Sequence, residues 1–340
     1  MKITDLEASS GIEQLKAIMN GYQAYQVLST ALELKMFDWL ENKGSARQEE
    51  ITAGLGINGM FGRSFLQALV DMKLLLKTGD VYANSPMASS ILISSGLGYQ
   101  GDWFRNTGSK VSKWSDLTDT LTAQEPSMMG FADGPSREFL RAIAQRALHG
   151  ELQAATKAIR AWEGFSRAGS LIDIGGGHGL YAIALCQTHP GLQAVVFDKP
   201  HVIGLADEFI AHYALTERIS TQGGDAMSDP LGSGFDIAII AHLLYKFRKQ
   251  LPEFFRKLNA SVKSGGIVVS NHWFCDPGCD RGEEGAGVRD LERAVQSFGH
   301  PLCHGEEFDA LFKQNGFRII HKAEIPSAYG TSRLHIALKK

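Results

Sequence analysis

Leu171-Ile-Asp-Ile-Gly-Gly-Gly-His-Gly179 is the stretch whose reading decides the fold. An apolar run carrying Asp173 enters a turn built from Gly175, Gly176, Gly177 and Gly179, and a helical pattern (Leu180, Ile183, Ala184, Cys186) follows. Strand, tight turn and helix in that order open a nucleotide-binding α/β sheet. Gly175 and Gly177 lack a Cβ, which leaves room for a ligand to approach the backbone. The dinucleotide fingerprint asks for another glycine where Leu180 stands. Asp173, two positions before the first glycine, would repel a pyrophosphate and suits a ligand with a positively charged amino group instead. Considered alone, the motif is also compatible with a purely structural turn.

The following segments extend the pattern. Ala194 to Asp198 is a second apolar strand ending in an acid, about 20 residues past the turn, where such sheets hold ribose hydroxyls. A helix over Val202–Tyr213 leads to Arg218–Gln222 and then Gly223-Gly224-Asp225-Ala226-Met227. That third tip brings another carboxylate, and Met227 suits the face of a flat ring. Phe235–Ile240 and Gly265–Ser270 read as the fourth and fifth strands, with a helix over 246–262 between them. Ligands of open parallel sheets sit beyond the carboxyl ends of the strands, so Asp173, Asp198 and Asp225 are expected to line one crevice.

These three motifs, at this spacing, resemble S-adenosylmethionine-dependent class I methyltransferases, and specifically the small-molecule O-methyltransferase family that includes caffeate and acetylserotonin enzymes. The resemblance covers nearly the whole chain. It implies a Rossmann-like α/β fold with S-adenosyl-L-methionine as cofactor. Asp173, Gly175 and Gly177 then lie by its methionine part, Asp198 at the ribose, and Gly224, Asp225 and Met227 at the adenine.

Composition agrees with such an enzyme. The 340 residues suffice for two cores, 44% are hydrophobic and 21% charged. No signal-peptide core and no run of 18 apolar residues occurs, so a cytoplasmic protein that does not span a membrane is expected. Three segments are read: residues 1–100, 101–165 and 166–340. The first combines amphipathic helices (Tyr25–Leu40, a short helix capped by Ser45, Phe61–Leu69) with a two-stranded wing around Lys77–Asp80, a winged-helix pattern. That pattern admits a DNA-binding regulator. Residues 1–90 hold eight Lys/Arg against ten Asp/Glu, a balance of −2, whereas a phosphate-binding module should be basic. Nucleic acid is therefore not expected. In the family this unit is a dimerisation domain, which implies a homodimer.

Residues 101–165 are read as linking helices over the active site. Trp114, Met129, Phe131, Arg141, Arg146 and His149, together with Trp273, are candidate acceptor-binding residues. The arginines are suited to a carboxylate, although inter-domain packing and a solvated helix face explain the same residues. His272, Cys275, Cys279, His300, Cys303 and His304 gather zinc-type ligands, but their spacings match no familiar closed site, and no metal is expected.

One departure from the family stands out. A histidine after the fourth strand serves there as general base, in a pattern like Leu-His-Asp-Trp, and here that place holds Leu244-Tyr245-Lys246. The family's later supporting glutamate is also missing around Phe298–Cys303. Tyrosine, with an ordinary pKa of about 10, is a poor base at neutral pH. A relocated base (His149, His242, His272 or His300), an inactive protein, or an acceptor that needs no deprotonation would each account for this. A thioether sulfur is such an acceptor, and S-methylation of a thioether acid is the leading expectation, with Tyr245 orienting the acceptor. An S-methyltransferase of this family, acting on methylthiohydroxybutyrate in dimethylsulfoniopropionate synthesis, looks like such a case. O-methylation with a relocated base, or methylation of carbon or nitrogen, is the alternative.

Overall fold

The computed structural model describes residues 11–110, 112–123, 135–275, 287–297 and 299–340. The chain divides into two compact units at Arg105/Asn106.

The first unit holds α1 (Ile12–Glu33), α2 (Met36–Lys43), β1 (Ala46–Arg47), α3 (Gln48–Leu55), α4 (Gly59–Asp71), β2 (Leu75–Thr78), β3 (Val81–Asn84) and α5 (Pro86–Ile91). α6 (Gly101–Thr107) runs across the division. The helix expected over Tyr25–Leu40 is broken where Lys35 takes a left-handed φ of 54°. Ser45 caps no helix. Ala46 and Arg47 instead pair with Tyr82 and Val81, adding a third strand to the wing in the order β1-β3-β2. α3 starts only afterwards, where the Arg47 N–H donates to Glu50 Oε2 at 2.8 Å. Ladder pairing here outweighs a local cap preference. Met36, Phe37, Leu40, Leu66, Leu69 and Leu75 form this unit's core.

The second unit continues with α7 (Leu117–Thr122), α8 (Arg137–Ala147), α9 (Glu151–Arg160), β4 (Ser170–Ile174), α10 (Leu180–Thr188), β5 (Gln193–Asp198), α11 (Ile203–His212), β6 (Ile219–Gly223), β7 (Phe235–Ala241), α12 (Leu251–Ser261), β8 (Val262–His272), β9 (Phe274–Cys275), α13 (Gly287–Gln296), β10 (Leu302–Cys303), α14 (Gly305–Gln314), β11 (Phe317–Ile325) and β12 (Ser332–Lys339). Seven strands make one sheet in the order β11-β12-β8-β7-β4-β5-β6. β4 to β8 run parallel, and β12 inserts antiparallel between β8 and β11.

Period-two alternation divides the strand residues between two cores. Leu171, Ile237, Ile239, Ile267 and Val269 pack with α9 and α10 on one face. Ile172, Ile174, Ala238, Ile240 and Val268 pack with Phe254, Phe255, Phe308 and Phe312 of α12 and α14 on the other. The registers Ile174↔Phe197, Asp198↔Gly223 and Ala241↔Asn271 carry the strand ends to a common edge.

Candidate active site

At that edge the chain leaves β4 through Gly175, Gly177 and Gly179, with φ of 67°, 51° and 71°. These left-handed values suit glycine. The space a Cβ would fill at Gly175 is taken by Leu243, so this glycine serves close packing rather than an opening. At Gly177 the nearest atoms to such a Cβ lie 3.9 Å away, one of them Asp198 Oδ2.

Asp198 joins the second strand tip to the turn. Its Oδ2 accepts from Gly177 N–H at 2.9 Å and its Oδ1 from Lys199 N–H at 2.7 Å. Burial raises its pKa, and those two N–H groups oppose the rise. Asp173 is buried beneath the turn, with Oδ2 lacking any partner among the described residues. Burial, then the neighbouring charge of Asp198, pushes its pKa up to about 7. Two buried acids with one unpaired oxygen fit a ligand that brings positive charge, as the sulfonium and amino groups of S-adenosylmethionine do.

The third tip is more open. Asp225 Oδ1 accepts from Met227 N–H at 2.8 Å, Oδ2 lies 3.5 Å from Lys199 Nζ, and Met227 packs against the second core. Gly224 is required by packing, since a Cβ there would come within 2.6 Å of the Phe197 ring. Lys257, which sequence reasoning missed, donates to the carbonyls of Ala226, Met227 and Asp229 at 2.7, 2.7 and 2.8 Å and pins this loop. Its signal, a lysine inside the amphipathic pattern of α12, is common to many surface helices.

Beside the turn, the end of β7 carries a second polar group. His242 has a left-handed φ of 51°, and its N–H donates to Asn271 O at 2.9 Å. Its Nε2 lies 2.6 Å from Glu151 Oε1, and its Nδ1 lies 2.9 Å from Tyr245 Oη. Glu151, at the start of α9, also accepts from Asn271 Nδ2 at 2.8 Å and Tyr181 Oη at 3.5 Å. Burial would raise its pKa, but His242 foremost, then Arg146 and Tyr181, hold it at about 2. Glu151 is the buried member of this group that the sequence did not point to, because an acid opening a helix is usually explained by the helix dipole.

Tyr245 is 2% exposed, and its oxygen accepts from Trp273 N–H at 2.6 Å. Burial pushes its pKa well above 10. Its hydroxyl is thus engaged within the protein rather than held out to orient an acceptor. The Trp273 ring stacks on Tyr245 (6.0 Å, 17°) and meets His242 at 4.5 Å, while its buried Nε1–H has no partner among the described residues. The Arg146 guanidinium lies 4.9 Å from the Trp273 ring centre and 5.9 Å from that of Tyr329, and hydrogen-bonds Gln296.

The other candidates separate from this group. His272 is buried, its Nε2 accepting from Leu244 N–H at 3.2 Å and its Nδ1 lying 2.9 Å from Ser270 Oγ. Burial, then the charges of His242 and His335, takes its pKa well below 6.5, and both of its ring nitrogens are engaged within the core. Arg141 lies on an exposed face and, with Arg137, pairs with Glu208. His149 is exposed in the turn between α8 and α9. Trp114 is half-buried in a turn that Lys113 Nζ ties to Val295 O at 2.9 Å. Met129, Phe131 and Cys279 fall outside the described residues. Cys275 Sγ lies 3.6 Å from His300 Nδ1, and among the described residues no group of three His, Cys, Asp or Glu could hold a metal. No helix among them is long and apolar enough to cross a membrane.

Strand order and an acid-flanked glycine turn define a methyltransferase of the Rossmann-like class. A model of the O-methyltransferase domain matches residues 130–318, and one of the O-methyltransferase dimerisation domain matches residues 17–94. The chain belongs to this O-methyltransferase family, whose members are S-adenosylmethionine-dependent enzymes. It is similar to the N,N-dimethyltransferase OxyT of Streptomyces rimosus, 30% identical with 97% of each chain covered. It is also similar to the tetracenomycin polyketide synthesis 8-O-methyl transferase TcmO of Streptomyces glaucescens, 31% identical over 78% of this chain and 79% of the relative. Human N-acetylserotonin methyltransferase, solved in complex with SAM, superposes with a TM-score of 0.76 at 20% identity, covering 100% of this chain and 99% of that one.

Proposed function

We propose that this methyltransferase acts on a hydroxyl group of a small aromatic acceptor, with the His242–Glu151 pair receiving the proton. The observation that carries this reading is the 2.6 Å contact between His242 Nε2 and Glu151 Oε1 beside the glycine turn. The base and carboxylate missing from their usual places in the chain are thereby available from other positions. When bound, S-adenosylmethionine supplies an electrophilic methyl group. Asp173 and Asp198 would hold its charged and ribose portions, and the loop from Gly224 to Met227 its adenine. The ring wall of Trp273 and Tyr245 suits a planar acceptor.

An amine acceptor is the second reading, favoured by OxyT, which its name describes as an N,N-dimethyltransferase. A neutral aromatic amine is nucleophilic without prior proton loss. The thioether expectation is less favoured, because a histidine–carboxylate pair is present and Arg141 is paired with Glu208. A homodimer through the first unit accompanies the proposal. Ile12, Leu15, Ile18, Met19 and Tyr22 form an exposed apolar stripe on α1, within or next to the matched dimerisation segment.

The test is methyl transfer from labelled S-adenosylmethionine to a panel of phenols, aromatic amines and thioether acids across pH. Phenols should be methylated, and H242N should reduce the rate by about 10²–10⁴-fold, the usual contribution of a general base. Turnover of thioether acids alone, or an H242N rate equal to wild type, would refute it.

A further inference from the structure

We propose that Lys257 is a positioning residue for the cofactor: it fixes the loop of residues 224–229 and thereby sets how tightly the adenosyl part is held. The proposal rests on the reading that this loop takes the adenine, and it adds what keeps the loop in shape. Lys257 stands on α12, 28 to 31 positions beyond its partners in the loop. Its half-buried side chain brings Nζ to the carbonyl oxygens of Ala226 and Met227 at 2.7 Å each and to that of Asp229 at 2.8 Å. A lysine ammonium carries three donors and no acceptor, so these three contacts use it completely.

The rest of the loop closes on itself. Gly224 N–H donates to Asp198 O at 2.9 Å, which ties the loop to the tip of β5. Asp225 N–H donates to Asp229 Oδ2 at 2.7 Å, and Asp229 N–H donates to Asp225 O at 2.9 Å. Met227 and Ser228 donate their N–H groups to Asp225 Oδ1 at 2.8 and 3.3 Å. These bonds engage the N–H groups, whereas the carbonyls of Ala226, Met227 and Asp229 converge on Nζ. Carbonyl dipoles aimed at one point repel one another unless a cation stands there. Burial lowers the Lys257 pKa, and the charges of Asp225, Asp229 and Glu253 oppose that fall. Glu253, one turn earlier on the same helix, is the ordinary partner for such a lysine. Nζ is committed to the main chain of the loop instead.

Met227 is consequently held at both ends of its backbone, by Asp225 at its N–H and by Lys257 at its carbonyl. The residues that would flank the adenine are thus in place before a ligand arrives, which lowers the ordering cost of binding. Without the ammonium the three carbonyls spread, and the ligand must reorder the loop. Because Lys257 acts through the loop, its loss falls on the hold of the cofactor and not on the methyl-transfer step.

Hydrogen exchange and calorimetry on the full chain test this. In wild type, S-adenosylhomocysteine should slow amide exchange across residues 224–229. Absence of that protection would overturn the adenine assignment itself, whatever the variants do. K257M keeps the length of the side chain and removes its donors. In the ligand-free variant the loop amides should exchange faster by about tenfold or more, with β4 and β7 exchanging as in wild type. Affinity for S-adenosylhomocysteine should fall by about tenfold, and adenosine, which lacks the methionine part, should lose the same factor. With a phenolic acceptor that wild type turns over, KM for S-adenosylmethionine should rise by a similar factor while kcat stays near wild type. K257Q, which keeps a donor without the charge, carries the same measurements should K257M not fold. Given protection of the loop in wild type, unchanged affinity for both ligands in a folded variant would overturn the role of Lys257. A loss confined to S-adenosylhomocysteine, or a fall in kcat with KM unchanged, would overturn it as well.

Discussion

Replacing Asp173 by asparagine should stabilise the ligand-free protein and weaken its hold on the cofactor. The buried carboxyl has an unpartnered Oδ2 and a pKa pushed up to about 7 from 3.8 by burial and by Asp198. Because the folded-state value is the higher one, the folded protein retains a proton that the unfolded chain has lost between those two values. Stability from this group is complete below about pH 4 and declines as pH rises to about 7. The rise from 3.8 to about 7 corresponds to about 4 kcal/mol at about 1.36 kcal/mol per pKa unit. D173N removes that dependence while filling the same volume. Urea unfolding of the ligand-free proteins at pH 5 and pH 8 should show the advantage of D173N growing with pH, toward a few kcal/mol. Calorimetry with S-adenosylhomocysteine should show affinity reduced by about 1–3 kcal/mol, the cost of losing a charge-assisted contact. A variant that is less stable at pH 8, or one that binds this ligand as wild type does, would refute the reasoning.

Asp198→Ala removes the acceptor of the Gly177 and Lys199 N–H groups and should weaken S-adenosylhomocysteine binding by at least about 1–3 kcal/mol, read by calorimetry. Charging the apolar stripe of α1 with Leu15→Glu and Ile18→Glu should convert a dimer to monomers in sedimentation velocity, with the family's dimerisation segment as the reason. His272→Ala should lower unfolding stability by about 1–3 kcal/mol, since it leaves the buried Leu244 N–H without its acceptor, yet leave the pH dependence of methyl transfer as in wild type.

The sheet was legible in advance because each of its signals is local. Apolar runs of strand length, glycines at the β4–α10 turn and an acid at a strand end all lie within a few residues of the structure they produce. The same locality accounts for the misreadings in the first unit. Ser45 has the chemistry of a cap, but Ala46 and Arg47 are claimed by a strand 35 residues away, and Lys35 breaks a helix whose apolar pattern continues past it. The acids at the tips of β4, β5 and β6 could be located from strand ends alone. Which of them would be buried and unpaired could not, since that depends on how α10 and the neighbouring strands close over Asp173.

The residues proposed to handle the proton were legible only in part, His242 as one of four candidate histidines and Glu151 not at all. Alignment with a family pattern preserves spacing along the chain, and spacing put tyrosine where a base belongs. After β7, however, the chain enters a left-handed residue and then a short 3-10 turn over Leu244–Phe247, so residues three apart face one another. His242 thereby reaches the Tyr245 hydroxyl, and the carboxylate behind it arrives from α9, 91 positions earlier. The proposed base, three residues before the family position, is one candidate histidine among several, and a carboxylate arriving from another helix leaves no mark on a motif. They become visible only as one hydrogen-bonded chain running from Trp273 N–H to Glu151. It follows that an inactive protein cannot be inferred from a missing histidine in this family: what the chemistry requires is a lone pair backed by negative charge, and the fold can supply both from unrelated segments.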